Sequence, residues 1–109
     1  MIGRDAKDTL FVVGTARQPD LRAAIDRVAA SAPVRLRVGH EGGASGEDWT
    51  RDSDHYAFLE AGVPALYFGV EDYAQLHRPT DDFDTMTLPF YVHAVETIIA
   101  VLREFDGLR

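Results

Sequence analysis

The feature that most constrains the fold of this chain is the alternation of two kinds of apolar pattern along it. Apolar, β-branched runs typical of buried strands lie at 9–14, 34–38 and 63–69, and a segment with helical character follows each run. A strand–helix order that repeats three times is typical of an α/β protein. We therefore predict an α/β fold with a three-layer partial sheet and helices on both of its faces.

The helices are predicted from their start signals and their apolar stripes. The first begins at about 18–20, with its stripe at Leu21, Ala24, Ile25, Val28 and Ala29. Ser53 or Asp54 caps a short second helix that ends at Gly62. The last helix is predicted over about 89–105, with a buried stripe of Val92, Val95, Ile98, Ile99, Leu102 and Phe105. Its opposite face is expected to be His93, Glu96, Thr97, Ala100 and Arg103.

Length, charge and cysteine content exclude several classes of protein. The chain has 109 residues, which is enough for one domain with one core. It contains no cysteine, so disulfides, thiolate zinc sites and cysteine nucleophiles are excluded. The net charge is −7 and the basic residues are scattered, which argues against a nucleic-acid partner. No apolar run approaches the roughly 18 residues of a membrane span, so no membrane segment is expected.

Two polar loops follow strands, and we expect the catalytic or binding residues to lie in them. The segment 39–52 is rich in glycine, and the segment 70–88 is rich in aspartate. Loops of this length inside a compact domain are usually functional or disordered. In α/β sheets, the loops beyond the carboxyl ends of the strands carry the binding sites. Trp49, in the first loop, either lines a substrate pocket or holds the loop against the domain.

Two short motifs contain the residues that are able to carry chemistry. The first, S-D-H-x-x-F-x-x-x-G-V-P, occupies 53–64, and the second, H-x-P-x-D-x-x-D, occupies 77–84. Taken one at a time, these residues have ordinary explanations. Asp54 then acts as a helix cap, His77 is a surface residue and Asp81 is a turn residue.

Taken together, the two motifs resemble those of the co-catalytic zinc metallopeptidases, a family that includes bacterial leucyl aminopeptidases, glutamate carboxypeptidase and the glutaminyl cyclases. The sequence M-I-G-R from Met1 to Arg4 resembles the end of another strand of that family, so the resemblance covers nearly the whole chain. It implies two zinc ions, which activate a water molecule, and it implies that His77 is the last histidine ligand. It also implies a proton-handling role for Asp54. For Asp81 it implies a role in fixing the loop or His77.

The chain departs from the family pattern in two ways. Leu76 stands where many aminopeptidases place a tyrosine whose hydroxyl holds the substrate carbonyl oxygen. The other ligand segments of the family would all precede Met1, and one aspartate ligand would stand immediately before it. We therefore expect residues 1–109 to be the C-terminal portion of a zinc-exopeptidase domain with a phosphorylase/hydrolase-like fold, which alone binds zinc weakly and is inactive. The parent protein is expected to be an aminopeptidase that acts on peptides, with Trp49 and Leu76 near the substrate side chain.

Several other interpretations stay open. The same fold serves non-catalytic relatives as a binding module, and a glutaminyl cyclase-like acyl transfer uses the same kind of site. If the chain is instead an autonomous small domain, an exposed sheet edge is expected to pair with that of a second copy and give a homodimer. The family alone suggests a secreted or periplasmic location. The sequence leaves the preferred substrate residue and the metal undetermined.

Overall fold

A computed structural model describes residues 1–43 and 46–107 of the chain. Within these residues, strands and helices alternate as the apolar patterns predict, and the α/β class is confirmed. In chain order the elements are β1 (Thr9–Val13), α1 (Pro19–Ala29), β2 (Arg35–Val38), α2 (His55–Glu60), β3 (Tyr67–Gly69), a 3-10 turn (Phe83–Thr85) and α3 (Leu88–Asp106).

The sheet has the strand order β2-β1-β3, with β1 in the middle. β2 lies parallel to β1 and places Val38 opposite Val12. β3 runs antiparallel to β1 and places Tyr67 opposite Val13. The chain after Gly69 therefore continues in the opposite direction from the chain after Val38. Because Val38 and Phe68 both lie opposite Val12, the two loops that are expected to carry chemistry start close together along the strands.

One face of the sheet carries the hydrophobic core. Leu10 and Val12 of β1 are fully buried there, and α1 and α3 pack against this face and against each other. The stripe predicted for α1 is confirmed at its centre, because Ala24, Ile25 and Val28 are buried. Each large aliphatic side chain buried in this way contributes roughly 1.5–3 kcal/mol. The core thus fixes the two longer helices on one side of the sheet.

The buried face of helix α3 matches the predicted one only in part, since Ile98 and Phe105 of the predicted stripe pack against the core. Its buried residues are Phe90, Ala94, Thr97 and Val101. Three members of the predicted stripe are exposed, namely Val92, Ile99 and Leu102. The helix is apolar on two sides, so the apolar pattern alone does not determine which side faces the core. Thr97 is suited to burial because its hydroxyl donates a hydrogen bond to the carbonyl oxygen of His93 at 2.7 Å.

The edge strands and the helices can be compared with two possible partners, a second copy of the chain and a membrane. Both edge strands are short, with 4 residues in β2 and 3 in β3, and Arg35 and Arg37 of β2 are exposed. Short edges and charged side chains limit pairing between sheets, so the homodimer through a sheet edge stays a prediction without support from this geometry. Among the helices of the described residues, none combines the length and the apolar character needed to cross a bilayer.

Candidate active site

The two polar loops meet around a cavity of about 400 Å³, a volume in the range of small-ligand pockets. The first loop contributes Glu47, Trp49 and Asp52 to its walls. The second loop contributes Leu76 and His77, among other residues. This cavity therefore brings together residues from both of the segments in which the sequence predicts chemistry.

Aromatic rings fix the first loop on the second face of the sheet. Phe11 alternates with the core residues of β1, so its side chain points to this face. The ring of Trp49 lies edge-on to Phe11, with centroids 5.9 Å apart, and edge-on to Tyr67 of β3 at 6.3 Å. His40 stacks on Trp49 at 3.7 Å. Because Trp49 is only 7% exposed and also lines the cavity, it holds the loop to the domain and forms a cavity wall at the same time.

His55, the first residue of α2, supports this wall from behind. Its ring stacks on Tyr67, with centroids 4.7 Å apart, and its Nε2 lies 3.0 Å from the carbonyl oxygen of Trp49. A carbonyl oxygen only accepts hydrogen bonds, so Nε2 carries the hydrogen in this contact. Nδ1 is buried and has no hydrogen-bond partner within the described part of the chain. His55 thus fixes two cavity residues, Trp49 and Tyr67, through its ring and one nitrogen.

A contact between His40 and Glu71 joins the two loops. His40 Nε2 lies 2.9 Å from Glu71 Oε1, and His40 Nδ1 lies 3.1 Å from the carbonyl oxygen of Glu47. The backbone of His40 has φ +54°, a left-handed conformation that few non-glycine residues adopt. These contacts hold the first residues of the glycine-rich loop against the start of the second loop.

One carboxylate ties the end of β1 to the first loop. Glu41 Oε1 accepts hydrogen bonds from the backbone N–H groups of Gly14 at 2.6 Å and Thr15 at 2.7 Å. The hydroxyl of Thr15 lies 3.2 Å from both carboxylate oxygens. Hydrogen bonds to a charged acceptor are stronger than those between neutral groups, and Thr15 is buried. Glu41 is therefore an anchor for the segment that leads to Trp49.

Arg4 holds the second loop to the start of the chain. Its Nε lies 2.8 Å from Asp72 Oδ2, and its guanidinium also pairs with the carboxylate of Asp81. A third contact is the hydrogen bond that Arg4 donates to the hydroxyl of Thr85 at 2.9 Å. Since these partners lie on both sides of His77 in the sequence, one side chain fixes the whole loop that carries the predicted ligand.

Three of the residues singled out in the sequence line the same cavity: Trp49, Leu76 and His77. The side chain of His77 is exposed, and its backbone has φ +58°. Left-handed non-glycine residues are uncommon and cluster at functional positions. The geometry thus places His77 where a ligand is able to reach it, while its role as a metal ligand stays a prediction.

Asp54 and Asp81 lie outside this cavity. Asp54 is the exposed N-cap residue of α2, and its side chain makes no capping hydrogen bond. Asp81 pairs with Arg4, which corresponds to the loop-fixing alternative of its expected role. Met1, in contrast, lines the cavity together with His77. The catalytic role of Asp54 stays a prediction.

Two cavity residues, Glu47 and Tyr73, are missed by the sequence analysis. The indole N–H of Trp49 donates to Glu47 Oε2 at 3.3 Å, and Tyr73 lines the cavity on the side of the second loop. Partial burial, then Glu47 as a hydrogen-bond acceptor and the negative charges of Glu47 and Glu71, raise the pKa of Tyr73 to about 12. The only signal in the sequence is that Tyr73 precedes Leu76 in the same loop.

We expect Tyr73 to lose its proton only well above pH 10. Because its pKa is higher in the folded chain than the ordinary value of 10.0, its contribution to stability is present below pH 10 and is lost as the pH rises toward 12. An absorbance titration of phenolate should show a late step that Tyr73→Phe removes. Glu47→Gln should move this step to lower pH, and an unchanged step in that variant would disprove the part of the shift that is assigned to Glu47.

The described residues offer one candidate from the expected set of zinc ligands, His77. Within residues 1–43 and 46–107, no three or more histidine, aspartate or glutamate side chains form a group that could hold a metal ion. Zinc sites use three or four protein ligands. The described residues therefore do not by themselves fit a zinc ion.

The fold and the cavity define an α/β protein whose candidate site combines a histidine, carboxylates and phenols, which are the groups that enzymes use for proton transfer and ligand binding. A comparison with protein families identifies the family itself. The model of peptidase family M28 matches residues 1–102, and the chain belongs to this family of hydrolytic peptidases. Searches of curated proteins and of solved structures found no match.

Proposed function

We propose that this chain forms the C-terminal part of the catalytic domain of a zinc-dependent aminopeptidase, which removes N-terminal residues from peptides. The observation that carries the proposal is that Trp49, Leu76 and His77 share one cavity with Met1. The resemblance places a histidine ligand at His77 and an aspartate ligand immediately before Met1. Both positions therefore adjoin the same cavity. Membership of a peptidase family supports the same conclusion.

Each residue has a definite task in this proposal. His77 provides one imidazole ligand, and its exposure in the cavity leaves the ring accessible. Trp49 and Leu76 contact the side chain of the substrate. The resemblance implies a proton-handling role for Asp54, which lies outside the cavity and whose carboxylate makes no capping bond to α2. Asp81 acts through Arg4 to fix the loop of His77.

The proposal is tested by comparing the parent polypeptide with the isolated 109-residue chain. We expect the purified parent to contain zinc and to release the N-terminal residue from aminoacyl p-nitroanilides. Calorimetry should show weak zinc binding by the isolated chain, because a single histidine is not enough for a zinc site. In the parent, His77→Ala should lower kcat/KM by more than about 100-fold, the upper range for removal of a residue that only supports a metal ligand.

The matched control is His93→Ala, since His93 is exposed on α3 and lies outside the cavity. This variant should retain both zinc and activity. Zinc content near zero in the parent would contradict the proposal and favour the non-catalytic binding module. Tight, stoichiometric zinc binding by the isolated chain that depends on His77 would show that the site does not need further ligands.

A further inference from the structure

The side chains on the walls of the cavity that contains His77 carry mainly negative charge, and the α-amino group of Met1 is a positive group beside them. Glu47, Asp52 and Asp72 line it, and none of the described residues that line it is a lysine or an arginine. Asp72 is compensated by Arg4, whose Nε lies 2.8 Å away. Glu47 and Asp52 take no part in the ion pairs of the described residues. The cavity therefore keeps uncompensated negative charge.

Glu47 stands at a corner that it forms with two aromatic residues. The indole N–H of Trp49 donates to its Oε2 at 3.3 Å, and Tyr73 lines the same cavity. Both aromatic residues are neutral, so they do not cancel the charge of the carboxylate. A carboxylate has about four lone-pair positions, which leaves acceptor positions for a ligand. Such a carboxylate attracts a cation through its charge.

The remaining wall is apolar enough to hold a long alkyl chain. Val70, Leu76 and Tyr67 line the same cavity. Lysine and arginine side chains bury their methylene stems along apolar surface while the charged head group stays at a polar one. A long side chain with a terminal cation therefore matches both parts of the wall. An acidic side chain would instead be repelled by the negative charge of Glu47.

We propose that this cavity selects peptides whose N-terminal residue has a long cationic side chain, arginine or lysine, with Glu47 as the specificity-determining residue. This inference rests on the proposed function, because it gives the substrate class of the same site. The carboxylate of Glu47 receives the guanidinium or ammonium group, and Val70 and Leu76 contact the stem. The raised pKa of Tyr73 supports a negative field at this wall, since the charges of Glu47 and Glu71 are among its causes.

The chain provides its own reporter for a test, because Trp49 is its single tryptophan and lines the cavity. The chain is titrated with argininamide and with citrullinamide, which has nearly the same shape and a neutral head group. Trp49 fluorescence is followed, with calorimetry as a second readout. We expect argininamide to bind about tenfold more tightly than citrullinamide, and lysinamide about tenfold more tightly than norleucinamide. Because Glu47 is exposed, this preference should decrease as the ionic strength rises.

The variant Glu47→Gln removes the charge and keeps the shape of the side chain. It should lower the affinity for argininamide to that for citrullinamide and leave the affinity for citrullinamide unchanged. Glu96→Gln makes the same change in net charge on the exposed surface of α3 and should leave both affinities unchanged. Equal affinities for the two amides in the unaltered chain, no binding of either, or a preference that survives Glu47→Gln would overturn the inference.

The failure of this inference is distinguishable from the failure of the proposed function. An active, zinc-containing parent that prefers leucyl over arginyl p-nitroanilide would support the proposed function and overturn the specificity. A parent without zinc, whose cavity still prefers argininamide in a manner that depends on Glu47, would overturn the peptidase proposal and support the cation-binding corner.

Discussion

Replacing Glu41 with alanine is expected to lower the free energy of unfolding by about 3–4 kcal/mol. The carboxylate that is lost accepts hydrogen bonds from the backbone N–H groups of Gly14, at 2.6 Å, and Thr15, at 2.7 Å. It also contacts the Thr15 hydroxyl. Hydrogen bonds to a charged group contribute about 1.5–3 kcal/mol each, and water replaces them poorly because Thr15 is buried. Urea denaturation followed by circular dichroism measures the loss, which is large against the roughly 5–15 kcal/mol of a typical domain.

The matched control for this prediction is Glu41→Gln, which keeps an acceptor oxygen and nearly the same volume. It should lower the free energy of unfolding by only about 1–2 kcal/mol, since the hydrogen bonds persist with a neutral acceptor. In the alanine variant, the fluorescence of Trp49 should also shift to longer wavelength, because the loop that Glu41 anchors becomes more exposed to water. An alanine variant within about 1 kcal/mol of the unaltered chain would show that Glu41 is not an anchor.

Replacing Gly14 with alanine is expected to prevent stable folding, or to lower the free energy of unfolding by more than about 3 kcal/mol. Gly14 has φ +119°, where side-chain-bearing residues are rarely found. A Cβ atom at this position would lie 2.1 Å from the carbonyl oxygen of Ala65. That oxygen belongs to the backbone just before β3, so it cannot move without shifting the strand. Circular dichroism and thermal denaturation of the purified variant measure the effect.

The variant Gly62→Ala distinguishes the effect of the steric clash at Gly14 from the effect of a positive φ angle alone. Gly62 also has a positive φ, +77°, but a Cβ there would meet no atom within 4 Å. It should therefore cost about 1 kcal/mol, the typical penalty for placing alanine where glycine is preferred. If the two alanine variants lost similar stability, the contact with Ala65 would not be the cause at Gly14.

The class of the fold was predictable from the sequence because apolar spacing is a local property. The buried centre of α1 and the start of α2 at His55 follow directly from such patterns. The strand predicted at 63–69 is confirmed only from Tyr67 to Gly69, and its antiparallel direction was not predicted. Strand pairing depends on contacts between distant segments, which single-chain patterns do not contain. For the same reason, the buried face of the two-sided helix α3 was predicted only in part.

The sequence predicted the members of the cavity better than the contacts that hold them. Trp49, Leu76 and His77 line one cavity, although their roles in binding and catalysis stay predictions. The anchors Arg4 and Glu41 were not predicted. Glu41 binds backbone N–H groups, which carry no sequence signal, and Arg4 binds side chains far away along the chain. Such contacts become visible only when the chain is folded.

The three contacts of Arg4 connect the first residues of the chain to the loop of His77. One guanidinium joins Asp72, Asp81 and Thr85. In the proposed enzyme, the separation between the ligand ahead of Met1 and the ligand at His77 would thus be set by an arginine that is not itself a ligand.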